Sequence, residues 1–87
     1  MIENILALST EHLTPYTCKQ WLGSSSYSAY AKGEYGWLVF VPEEILAGTP
    51  ADFVTCVEFA AHLRCRWLMF DCNYPKLPML PTYPQGD

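Results

Sequence analysis

Two Thr-Pro dipeptides, Thr14-Pro15 and Thr49-Pro50, constrain this chain more than any other feature. A threonine hydroxyl accepts from the orphan amides of a first helical turn, and proline at the first helical position gives up no hydrogen bond. Each dipeptide therefore predicts a helix start. After the first, Cys18, Trp21 and Leu22 form a narrow apolar stripe, Leu13 and Cys18 are placed as a hydrophobic staple, and Gly23 supplies the stop. The predicted helix runs from Thr14 to Gly23. After the second, Asp52 stands as in a capping box, and Phe53, Cys56, Val57, Ala60 and Leu63 recur at helical spacing. That pattern predicts a helix from Thr49 to about Arg64, with Thr55, Glu58 and His62 on its polar side.

The segments around these helices read as strands. Residues 4–9 are a short apolar run, and Tyr27 to Ala31 alternates aromatic and small residues. Lys32-Gly33-Glu34 reads as a turn into Tyr35 to Val41, the strongest strand in the chain, which Pro42 ends. Residues 66–71 form a last strand. The order β-α-β-β-α-β predicts an α+β domain of ferredoxin-like order over residues 1–73, an antiparallel sheet with both helices on one face. Beyond it, residues 74–84 carry four prolines, which forbid regular structure, yet their Leu, Met and Tyr are too apolar for a solvated tail. Residues 74–87 are predicted to pack on the domain as an extended strap.

Composition narrows the function classes. Eighty-seven residues, 51% hydrophobic and 16% charged, describe one folded domain and exclude disorder. Five Lys+Arg against nine Asp+Glu give a net charge of −4, the wrong sign for phosphate neutralisation, so no direct nucleic-acid contact is expected. No apolar run approaches the length of a membrane span, and the N-terminal run lacks a basic region and carries Glu3, so no signal peptide is expected. A cytoplasmic location follows as the expectation. Cys18, Cys56, Cys65 and Cys72 contain no C-x-x-C pair, and the loose set Cys56, His62, Cys65 and Cys72 lacks metal-site spacing. Reduced thiols, with neither metal nor cofactor, are expected.

Catalytic patterns are thin. Ser9 with His12, and Glu58 with His62, are the available pairs; neither has an obvious third member, and no Gly-rich phosphate loop occurs. The strands say more. Residues 35–41 and 66–71 are apolar at consecutive positions, so Leu38 and Phe40 oppose Trp37, Val39 and Val41, while Leu68 and Phe70 oppose Trp67 and Met69. Two helices cover one face, leaving the second to the strap, a second copy or another protein. Aromatic residues at such a face, with acidic residues beside it, suggest a protein-binding surface: Trp37, Trp67 and Tyr35, with Glu43, Glu44 and Glu58. Glu34, Glu43, Glu44, Asp52 and Glu58 form a stretch of five carboxylates in 25 residues without a Lys or Arg.

Four ordered blocks carry a resemblance: Leu8 to Thr17, Tyr35 to Pro42, Cys65 to Asp71, and Leu80 to Tyr83. Together they resemble a domain-of-unknown-function family of small plasmid, phage and integrated-element accessory proteins. The resemblance implies no catalytic residues. It implies a context in which small proteins inhibit host nuclease defences, with a subunit of a CRISPR or restriction complex as the protein partner. A homodimeric accessory module is the alternative, and a small enzyme a further one.

Overall fold

The computed structural model describes residues 1–85. The chain forms β1 (Ile5–Ser9), a 3₁₀ turn (Thr10–His12), a first helix α1 over residues 15–24, β2 (Ala29–Ala31), β3 (Gly36–Phe40), α2 (Ala51–His62) and β4 (Trp67–Asp71). The predicted β-α-β-β-α-β order and α+β class hold. The sheet differs from the expected one: its order is β1-β4-β3-β2, and β1 runs parallel to β4 while the other two pairings are antiparallel. A ferredoxin-like sheet would interleave its βαβ units and take β1 into the interior, whereas here β1 is an edge. The physical reason lies in β4. Its run Trp67-Leu68-Met69-Phe70 is apolar on both sides and takes a central position, where both neighbours shield its backbone.

Register fixes the faces. Leu6 and Leu8 stand opposite Leu68 and Phe70, and Phe70 and Leu68 stand opposite Trp37 and Val39. These residues share the face that both helices cover. Phe53 of α2 and Leu22 of α1 are fully buried over it, joined by Cys56, Val57 and Ala60. Trp21, Tyr27 and Phe53 form an aromatic cluster with ring centroids 5.4–5.9 Å apart, and Phe53 reaches Phe70 at 6.5 Å. Gly36 is required by close approach: a Cβ there would sit 1.7 Å from the Phe70 carbonyl oxygen.

The helix starts differ from one another. Thr14 behaves as read, its Oγ1 accepting from the Thr17 amide at 3.3 Å. Thr49 does not cap α2; its hydroxyl donates to the Leu46 carbonyl at 2.7 Å and pairs with the Tyr27 hydroxyl at 2.8 Å. Asp52, the expected capping-box acid, turns away from its own helix and accepts from the Thr14 amide at 2.8 Å, the Thr14 hydroxyl at 3.2 Å and the Thr17 hydroxyl at 3.1 Å. One buried carboxylate thus joins the starts of both helices. Residues Thr17–Trp21 make a widened π-helical turn in α1, closed by the Leu22 amide donating to the Thr17 carbonyl.

The Pro-rich strap packs against the end of the domain where β1 finishes. The buried His12 ring clasps it: Leu77 N–H donates to Nε2 at 3.0 Å, so Nδ1 carries the proton and donates to the Pro81 carbonyl at 2.8 Å. Tyr83 N–H donates to the Glu11 carbonyl at 2.9 Å, and Leu80 joins the main core. Of the strap expected over residues 74–87, residues 86 and 87 lie outside the described residues.

Candidate functional site

The strap and both helices pack on the helix-covered side, and the opposite face presents Ile5, Ala7, Tyr30, Leu38, Phe40, Trp67 and Met69. Ile5 is 54% and Tyr30 58% exposed, and the other five are partly exposed. Alternation within each strand produces this: the apolar neighbours of Leu68, Phe70 and Val39 have nowhere to point but away from the helices. At one end of the face Phe40 and Trp67 meet edge to face, centroids 5.1 Å apart at 86°, with the Arg66 guanidinium 5.8 Å from the Phe40 ring. The Trp67 indole N–H donates to Glu3 at 3.1 Å. These contacts hold the two rings in one geometry.

The six residues proposed from sequence separate into three places. Trp67 lies on the open face, and exposed Glu43 and Glu44 stand on the loop after β3, in shallow depressions that Phe40 also lines. Trp37 belongs to the helix-covered face: it stands opposite Phe70, and its indole N–H donates to the Cys18 carbonyl at 2.8 Å. Its side is set by pairing register, which strand alternation alone does not supply. Tyr35 stands exposed beside Trp37, at the mouth of a cleft of about 650 Å³. Glu58 is exposed on α2, in the helix layer across the sheet from the open face. The five-carboxylate stretch is broken up as well, since Asp52 is buried between the helices and Glu34 lines the cleft mouth. Phe40, Met69, Leu38, Tyr30 and Ile5 complete the face and are not among the residues expected from sequence. Their signal is the opposite register to Leu68 and Phe70.

At the other end of the sheet, Lys32 Nζ pairs with the Asp71 carboxylate at 3.0 Å, and the Asn73 amide donates to the same group at 2.8 Å. The Asn73 amide first, and Lys32 second, hold the Asp71 carboxyl below its ordinary value.

Of the candidate catalytic pairs, Ser9 and His12 are occupied otherwise. Ser9 is fully buried and its Oγ accepts from the Glu11 amide at 3.1 Å, while both His12 nitrogens are taken by the strap. Glu58 and His62 stand exposed on α2. Among the described residues no group of three metal-ligating side chains assembles, and no helix is long and apolar enough to cross a membrane.

No curated protein and no solved structure matches the chain. A family model described as the C-terminal domain of a family of unknown function, DUF5983, matches residues 5–85. The four sequence blocks, the α+β fold and that match agree: the chain belongs to the DUF5983 family.

Proposed function

We propose that this is a non-enzymatic protein-binding protein that docks a partner protein on its open sheet face. The observation that carries the reading is the apolar face itself, left open by a strap that packs at the His12 end of the domain. An apolar surface bearing preorganised aromatic rings is what a protein interface needs at its centre, where aromatic side chains carry most of the energy. The partner has an apolar patch with basic residues around it and an acidic group for Arg66, since Glu43, Glu44 and Glu3 border the Phe40–Trp67 end, Arg66 lies over Phe40, and the net charge is −4.

In the mobile-element setting that the sequence resemblance implies, the partner is a subunit of a host nuclease defence complex, CRISPR or restriction. The protein acts in the bacterial cytoplasm, by covering a protein surface rather than by imitating DNA. The test is phage plating on hosts carrying one defined restriction or CRISPR system, with wild-type protein and a Trp67→Ser variant. The reading expects wild type to raise plating efficiency on at least one such host and the variant to lose the effect while remaining folded. Wild-type protein without effect on any of them, and a tight dimer in solution with Trp67 protected, would replace the defence partner with a second copy of the chain.

A further inference from the structure

Two of the four cysteines open onto one cleft, and the other two do not. Cys56 is buried in the core, where burial pushes its thiol up to about 12. Cys65 lies beyond α2 at the far end of the sheet, in a depression with Arg64 and Arg66. Cys18 sits half-buried in the widened turn of α1, and exposed Cys72 directly follows β4. Both are anchored to one stretch of chain. The Cys18 carbonyl accepts from the Trp37 indole at 2.8 Å, and the Cys72 amide donates to the Tyr35 carbonyl at 2.8 Å. Tyr35 and Trp37 are two residues apart, so in extended chain they lie on the same side, and Cys72, opposite Tyr35, shares it. Helix and sheet therefore bring both cysteines to the same 650 Å³ cleft, Cys18 from α1 and Cys72 from the end of β4.

We propose that Cys18 and Cys72 are an oxidisable dithiol that closes to a reversible disulfide when the protein meets a hydroperoxide. The Cys72 thiolate attacks a peroxide oxygen, the O–O bond breaks, and the leaving oxygen departs as water or alcohol after taking a proton. Cys72 is then a sulfenic acid. The Cys18 sulfur attacks the Cys72 sulfur, the S–S bond forms, the S–O bond breaks, and the hydroxyl leaves as water with the Cys18 proton. The two thiols give up two electrons and the peroxide accepts them. Exposure assigns the first step to Cys72. Burial holds the Cys18 thiol above its ordinary value, against the lowering effect of Trp37 and Lys19, and a Cys72 thiolate raises it further. That suits a thiol that reacts second. The new bond ties the widened turn of α1 to the end of β4 and narrows the cleft.

The chain lends itself to a direct test, because trypsin places each cysteine in a different peptide: residues 1–19, 33–64, 65–66 and 67–76. Reduced protein is treated with a stoichiometric excess of hydrogen peroxide, alkylated, digested and weighed. The expected result is a monomer lighter by two hydrogens, peptide 1–19 joined to peptide 67–76, and full reversal by dithiothreitol. Cys18→Ser and Cys72→Ser each lose the link, and Cys65→Ser retains it. A link between any other pair, a disulfide between chains, or Cys72 overoxidised to a sulfinic acid in wild type would each overturn the proposal.

Discussion

The two faces of this sheet are written by the same strands and live under different rules. On the helix-covered side Leu8, Val39, Leu68 and Phe70 are entirely buried, and Phe53 fills the space between the sheet and α2. On the other side Ala7, Leu38, Phe40, Trp67 and Met69 alternate with them and remain partly open to water. Both faces are apolar, so hydropathy alone does not separate them. Covering partners do. The first face is completed by the chain's own helices and its strap, and stabilises the fold; the second is ordered by ring contacts and Glu3 and stays partly open to water.

That contrast can be broken most forcefully at Phe53. Removing a fully buried ring that touches Trp21, Tyr27 and Phe70 leaves a cavity, and Phe53→Ala is expected to cost about 3–5 kcal/mol in urea unfolding. A near-neutral result would erase the difference between the faces. Asp52 comes next. Asp52→Ala removes the acceptor for one amide and two hydroxyls at the joint of α1 and α2, and is expected to cost about 2–3 kcal/mol by the same measurement.

On the open face the expectation reverses. Trp67→Ser should cost only about 1 kcal/mol of stability, since the ring is partly hydrated already, but about 2 kcal/mol of partner binding, which is more than a tenfold rise in Kd. Changing Glu43 and Glu44 together to Lys should leave unfolding within about 0.5 kcal/mol of wild type. Its effect belongs to association, seen as a slower on-rate whose salt dependence changes sign or vanishes. The smallest effect is at Asp71. Its folded carboxyl ionises below the ordinary value, so the unfolded chain takes up the proton first, and stability falls as pH drops from the usual carboxylate range toward the folded value. Lys32→Met should shrink that acid loss without abolishing it, because the Asn73 amide remains; thermal melts between neutral and acid pH measure both.

Much of this was legible in local chemistry. Thr14-Pro15 marks α1, the Phe53–Cys56–Val57–Ala60 stripe marks the buried side of α2, and Pro42 ends the chain's strongest strand. What escaped depends on long-range choices. Whether β4 lies beside β1 in parallel is decided by which strand best tolerates burial on both faces, and no residue near β4 states that. Asp52 has the local signature of a cap, yet the Thr14 amide, 38 positions away, offers it a better use. His12 reads in sequence only as half of a pair with Ser9, until Leu77 and Pro81 arrive on either side of its ring. Arg64 adopts a left-handed conformation at the end of α2, φ 59°, where glycine usually stands, so the helix stop carries no sequence mark. The open face was half legible: alternation announced two apolar faces and assigned both Trp37 and Trp67 to a binding surface, and only the register of Trp37 against Phe70 leaves Trp67 there alone.

The docking proposal requires that the chain leave one face of its sheet uncovered. Hydroxyl-radical footprinting of the free protein, at concentrations spanning any self-association, tests it residue by residue. Met69, Trp67 and Tyr30 are expected to be oxidised readily at low and high concentration, while Phe70 and Phe53, one register or one layer away, remain protected. Protection of Met69 and Trp67 equal to that of Phe70 at every concentration would contradict it, because the chain would then be covering that face itself.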